Sequence, residues 1–264
     1  MKSRPFNLLK SFVLTLCLAC SLSACSQSPP DYSGTTSVRM YRNSDTDIIT
    51  LKIPNGYLDH FVLAGPPVPG AKEETAEVLH QMFFTAEAGT LKPRSAENNQ
   101  AFVYPNSLTD DLHFNTSTWN KRSEQERPVY LQDYYKFHTD MYLSSCKNQP
   151  APKSRFGLDW YTRDISNCPS QVHRGQQDLL IDRDTNGAVK TLLFCTSDEI
   201  PDRADQLKSG RLGDNPICQH RYYFKGLNAS VTLRYARFYV KDWRLLEQRI
   251  NALLFSFVQT PSNP

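Results

Sequence analysis

Little net charge is left in this 264-residue chain once its first residues are set aside: three of the 30 Lys and Arg (Lys2, Arg4, Lys10) fall in residues 1–24, which hold no acid, so the remainder carries 27 bases against 27 acids. A balanced surface has no long-range field with which to gather a polyanion, which argues against nucleic acid as a partner. Glycine is scarce, at 11 residues, and none brackets a serine in the Gly-x-Ser-x-Gly elbow that presents a hydrolase nucleophile. No glycine-rich loop able to cradle a phosphate occurs. The six histidines (His60, His80, His113, His138, His173, His220) include no HExxH and no pair at helical spacing, so they read as surface or satisfied core residues. Glu73-Glu74 and Asp110-Asp111 are adjacent in sequence, so their side chains diverge and read as solvated acids. No apolar run reaches the roughly 20 residues of a membrane-spanning helix. Together these absences leave no catalytic constellation and no cofactor site, and they predict a chain that is not an enzyme.

What is present begins with an address. Residues 1–24 combine the basic start with an apolar stretch from Phe12 to Ala19, and small residues lead to a cysteine in Leu22-Ser23-Ala24-Cys25. This box resembles the bacterial lipoprotein signal, in which the cysteine thiol is alkylated by a diacylglycerol, the peptide is cut just before it and the new amine is acylated with a palmitate-type chain. The resemblance implies a signal peptide over residues 1–24 and Cys25 as the lipidated first residue of the mature protein. Ser26 is not the aspartate associated with inner-membrane retention, so the implied placement is the periplasmic face of the outer membrane. Each buried CH₂ contributes roughly 0.8 kcal/mol, so two or three acyl chains hold a protein durably without a spanning helix. Residues 25–38, polar and carrying Pro29-Pro30, read as a tether.

Of the seven cysteines, Cys17 and Cys20 leave with the leader and Cys25 takes the lipid, so Cys146, Cys168, Cys195 and Cys218 remain. They contain no CxxC pair and the compartment is oxidising, which disfavours zinc. An even number there implies two disulfides. Nearest-neighbour pairing, Cys146 with Cys168 and Cys195 with Cys218, is expected because each bridge closes a polar, proline-containing stretch. Chain entropy puts each at roughly 3 kcal/mol. All four lie in the second half, which predicts two subdomains, residues 39–147 and 155–264, the later one stapled, with the boundary in the apolar-free KNQPAPKS stretch.

Alternating apolar residues predict strands at 37–41 and 48–53, the second ended by Pro54-Asn55-Gly56. Residues 72–84 fit a helix or a strand equally, and the aromatic run 130–143 has no clear period. A strand opens at Gly157-Leu158-Asp159-Trp160-Tyr161. Runs at 178–182 and 188–195 flank Asn186-Gly187, a strong hairpin signal, and a second hairpin joins 221–224 to 229–235 through Lys225-Gly226-Leu227-Asn228. An amphipathic helix follows from Asp242, the N-cap residue by type, with Trp243, Leu246, Ile250, Leu253, Leu254 and Phe257 at spacings of three and four. The pattern predicts an α+β fold: antiparallel sheets with a C-terminal amphipathic helix packed on them. Asp182-Arg183-Asp184-Thr185-Asn186-Gly187 matches half of a calcium loop, but position twelve is Leu193 where a bidentate Glu is required, so it reads as the hairpin turn and no metal site is assigned.

The second half has an order of its own: Phe156-Gly157-Leu158 with Tyr161, Asp178-Leu179-Leu180-Ile181 running into Asn186-Gly187, Cys195, then Asn215-Pro216-Ile217-Cys218-Gln219-His220 with Tyr222. Lys241-Asp242-Trp243 and a helix ending Leu254-Phe255-Ser256-Phe257 close it. With Ile53-Pro54-Asn55-Gly56-Tyr57 near the start, this order resembles the periplasmic immunity lipoproteins that accompany type VI secretion effectors, particularly the lipase-immunity group. The likeness covers about half of the chain and consists of fold residues, with no contact motif to carry over. It implies a non-catalytic protein that binds one cognate secreted toxin, of phospholipase type, and occludes its active site or locks its lid. Tight interfaces rest on buried aromatic and Arg anchors. Tyr134, Tyr135 and Phe137 are aromatic residues available for that use, with core packing as the alternative. A structural or assembly lipoprotein of the envelope, and a periplasmic ligand-binding module, are the other roles that fit the same address.

Overall fold

Period-two burial builds most of this fold. In β1 (Thr35–Tyr41) and β2 (Ile48–Pro54), paired antiparallel, the buried side chains of Met40, Leu51 and Ile53 share one face. The computed structural model describes residues 32–42, 47–58, 63–64, 78–102, 111–117, 126–144, 152–162, 177–197 and 216–259, all within the unit Tyr32–Pro264. Cys25, Cys146 and Cys168 lie outside the described residues, and with them the lipid anchor and one of the two expected disulfides.

The remaining strands are β3 (Leu63–Ala64), β4 (Val78–Glu87), β5 (Asp111–Ser117), β6 (Lys153–Arg155), β7 (Leu158–Tyr161), β8 (Gln177–Arg183), β9 (Val189–Thr196), β10 (Ile217–Phe224) and β11 (Ala229–Ala236). The described strands form one sheet in the order β2-β1-β4-β5-β11-β10-β9-β8-β7-β6, with β3 beside β4. Every described pairing is antiparallel except β1 with β4. Among the described residues two helices accompany the sheet, α1 (Glu126–Ser144) and, at the C-terminal end, α2 (Trp243–Ser256). The α+β class with antiparallel strands and a C-terminal helix is the fold observed. The two halves meet inside this sheet, where β5 pairs with β11, and the larger core draws on both.

Two ambiguous stretches are settled by their surroundings. Residues 78–87 form a strand because β1, β3 and β5 all pair with it, and alternate residues Met82, Phe84 and Ala86 are buried. Residues 126–144 form a helix in which Tyr135, Thr139 and Tyr142 are buried at spacings of four and three, while Phe137 and Met141 project outward at 63% and 51% exposure. Apolar residues on both sides of the helix cancel its amphipathic signal, which is why no period was legible.

Two expectations need correction. The tether ends earlier than residue 38, because β-branched Thr35, Thr36 and Val38 pair with β2 across Pro54, Ile53 and Leu51. Asp242 occupies the N-cap position of α2, but its side chain makes no capping bond. The chain enters α2 from a 3₁₀ turn, Arg237–Asp242, and the Trp243 N–H is already bonded to the Val240 carbonyl.

The hairpin turns follow the local chemistry. At Asn186-Gly187, Asp184 Oδ1 accepts from the N–H groups of Asn186 (2.8 Å) and Ala188 (2.9 Å), and Gly187 takes φ +82°, which a side chain would oppose. Those bonds, with Asp182 paired to Arg244 at 3.1 Å and Lys190 at 3.2 Å, commit the carboxylates of the half calcium loop to the protein itself. Gly56 serves a close approach: a Cβ there would lie 2.2 Å from the Arg94 carbonyl oxygen.

The sheet has two working faces. On one, Leu180, Leu193, Val231 and Leu233 pack with Trp243, Leu246, Ile250 and Leu254 of α2 in the larger core. On the other, Leu179, Ile181 and Leu192 pack with Tyr135 and Tyr142 of α1 in a smaller one. Cys195 and Cys218 are directly opposed across β9 and β10, with Cα atoms 4.0 Å apart, and form the expected disulfide. After α2 the chain runs back along β2, where Lys52 N donates to Phe257 O at 2.8 Å and Gln259 N to Thr50 O at 2.9 Å.

Candidate functional site

One buried polar constellation has the ingredients of acid–base machinery. Strand parity places His220 of β10 on the α2 face, between Cys218 and Tyr222 and opposite Leu193 and Leu233. Its ring is fully buried, with Nε2 2.8 Å from Glu247 Oε1 of α2 and Nδ1 3.0 Å from the Tyr235 hydroxyl. The proton assignment that satisfies every partner has Nε2–H donating to Glu247 and Nδ1 accepting from Tyr235. The Thr191 hydroxyl, 2.7 Å from the same Glu247 oxygen, donates there and makes no bond to the imidazole. A general base must reach the proton that it removes. Here both ring nitrogens are spent on internal partners, and the arrangement ties β9, β10, β11 and α2 together.

Beside it lies a cleft of about 220 Å³ where the described parts of β9 and β10 end and both helices approach. Gln132 and Tyr135 of α1, Val189 to Thr191 of β9, Tyr222 and Tyr223 of β10, and Glu247 and Asn251 of α2 line it. Gln132 anchors α1 there by pairing its side-chain amide with both backbone groups of Val189: Oε1 accepts from Val189 N at 3.0 Å, and Nε2 donates to Val189 O. Tyr142 anchors the far end of the helix by donating to Gln177 O at 2.8 Å. Tyr222 Oη donates to Asn251 Oδ1 at 3.0 Å. The Tyr135 hydroxyl is buried and has no partner among the described residues. Burial, then the charge of Glu247, holds the phenols of Tyr135, Tyr222 and Tyr235 well above the ordinary tyrosine range. On the outer side of α1, Phe137 and Met141 stand one turn apart and exposed, beside half-buried Tyr134 and His138. Burial lowers the His138 pKa.

The three aromatic residues singled out from the sequence divide accordingly. Tyr135 is a core residue at 1% exposure, Tyr134 packs on the same smaller core, and Phe137 faces outward at 63%. No motif along the chain singles out the His220–Glu247–Thr191–Tyr235 set or Gln132. The signals were there: Glu247 falls four residues after Trp243 and three before Ile250, inside the apolar stripe, and His220 alternates with buried Cys218 and Tyr222. A charge at an inward position and a histidine on the inward face of a strand call for each other, since buried polar groups are paired.

No protein-family model matches the chain, and no curated protein matches it in sequence. Among solved structures it is similar to an immunity protein of the Stenotrophomonas maltophilia type IV secretion system, with a TM-score of 0.59 and 15% identity over 86% of this chain and 94% of that one. At that identity the likeness establishes a common fold. The iron-regulated outer membrane lipoprotein FrpD of Neisseria meningitidis aligns over 87% of this chain and 94% of its own, with a TM-score of 0.44 and 11% identity, too loose a match to build on.

Proposed function

We propose that this chain is a lipid-anchored, non-catalytic immunity protein of the periplasm, which binds and neutralises one cognate secreted antibacterial toxin. The observation that carries the reading is the fold held in common with an immunity protein over 86% of the chain. Two features of the molecule support it. The buried histidine constellation is closed by its own hydrogen bonds, and α1, which Gln132 and Tyr142 pin to the sheet, holds Phe137 and Met141 in solvent. An aromatic residue and a methionine fixed on a rigid helix make an anchor at low entropic cost. The toxin in this reading is a phospholipase-type effector of a type VI system, as the sequence resemblance implies, and the anchor at Cys25 keeps the protein at the outer membrane where such an enzyme arrives.

A genetic test separates this role from a structural one. Deleting the gene is expected to leave growth and envelope integrity unchanged in a strain unable to secrete, and to make the strain susceptible to its own kin when they secrete. An envelope defect in the non-secreting strain, or survival beside secreting kin, would refute it.

A further inference from the structure

The cleft between α1, β9, β10 and α2 has the chemistry of a cation receptor. Glu247 receives both of its internal bonds, from His220 and Thr191, on Oε1, so Oε2 accepts none among the described residues. Tyr135 is 1% exposed and its hydroxyl has no hydrogen-bond partner there. Tyr135 and Glu247 line the same cleft, and the charge of Glu247, after burial, helps to raise the phenol pKa. Tyr222 and Tyr223 add two further rings to the lining. Of the other polar groups, Lys190 is paired with Asp182 at 3.2 Å, the Gln132 amide with the Val189 backbone, and Asn251 Oδ1 with the Tyr222 hydroxyl. A buried hydroxyl left without a partner is a cost in the free protein, and it marks a place where a partner can be supplied from outside.

We infer that the cleft receives an arginine side chain presented by the partner protein, its guanidinium donating to Oε2 of Glu247 and to the Tyr135 oxygen with its plane against the tyrosine rings. Arginine fits better than lysine because its flat, weakly hydrated cation stacks on aromatic faces and forks its donors. About 220 Å³ accommodates one such side chain. This deepens the toxin-binding reading and rests on it for the identity of the partner.

The test needs no toxin. The full chain, purified in detergent with ¹³C-labelled tyrosine rings, is titrated with N-acetyl-arginine amide and with N-acetyl-citrulline amide, which has nearly the same shape without the charge. Saturable shifts at Tyr135, Tyr222 and Tyr223 are expected with the arginine compound alone. Glu247→Gln should weaken binding about tenfold, the worth of one charge-assisted bond, with ring signals otherwise dispersed as in the parent. Tyr135→Phe, which removes only the unpartnered hydroxyl, should weaken it by a smaller factor. No saturable shift, equal response to the citrulline compound, or unchanged affinity in both variants overturns the inference. A toxin captured by a chain that ignores arginine refutes the cleft assignment alone, whereas arginine binding by a chain with no toxin partner refutes the toxin reading and leaves the cation receptor standing.

Discussion

Replacing Glu247 by alanine and by glutamine separates the load that its oxygen bears from the load that its charge bears. Glu247 Oε1 accepts from His220 Nε2 at 2.8 Å and from Thr191 Oγ1 at 2.7 Å, and those donors belong to residues 0% and 3% exposed. Alanine orphans both. Each unsatisfied buried donor costs about 1–3 kcal/mol. Glu247 itself is 19% exposed, so water entering the gap recovers part of the loss, and the net destabilisation of Glu247→Ala is expected at about 3 kcal/mol. Glutamine keeps an oxygen in place and forfeits only the charge assistance, worth about 1 kcal/mol. For a domain of this size the alanine variant then melts about 6–12 °C below the parent. Urea unfolding followed by tryptophan fluorescence suits the measurement, because Trp243 is buried with its ring centroid 6.1 Å from that of His220. Equal losses for alanine and glutamine, or an alanine loss below about 1 kcal/mol, would refute the view of this constellation as a hydrogen-bonded fastener.

The double variant Cys195→Ala, Cys218→Ala removes a bridge spanning 23 residues and is expected to lose about 3 kcal/mol by the chain-entropy argument; a loss under about 1 kcal/mol in equilibrium unfolding would contradict it. Gly56→Ala drives a methyl to 2.2 Å from the Arg94 carbonyl, and since Arg94 N donates to Gly56 O at 2.9 Å the two segments must part, at about 2–3 kcal/mol in the same assay. Raised phenol pKa values at Tyr135, Tyr222 and Tyr235, caused by burial and then by Glu247, favour the protonated forms in the folded state, so their contribution is complete below about pH 10 and is lost as the pH rises beyond it. Absorbance at the phenolate band should therefore show these rings ionising only as the near-ultraviolet dichroism of the fold disappears, and phenolates from all tyrosines in a still-folded protein would contradict the burial.

What was legible in the sequence was local. Asn186-Gly187 announces its hairpin because the left-handed backbone at Gly187 is chemically specified, and the stripe from Trp243 to Phe257 announces a helix because its burial is one-sided. Cys195 pairs with its nearest neighbour, Cys218, because the two strands that carry them lie side by side in register. Helix α1 was illegible because Phe137 and Met141 face solvent opposite Tyr135 and Tyr142, which erases the amphipathic pattern. That inconsistency is itself the trace of a surface, since a helix with only a core to serve would carry polar residues outside. The cleft could not be read along the chain at all: Tyr135, Thr191, Tyr222 and Glu247 come from four elements and meet only where the register of β9 on β10 and the placement of both helices bring them together.

The central claim is tested most directly by capture and titration in one experiment. The full chain, made in an oxidising compartment and purified in detergent, is used to isolate stoichiometric partners from the producing organism, and the partner's hydrolytic activity is then measured as the complex is reconstituted. One secreted, lipid-hydrolysing enzyme is expected, its activity falling to zero at one equivalent of this protein. Recovery of envelope machinery, of no partner, or of an enzyme fully active in the complex would contradict it.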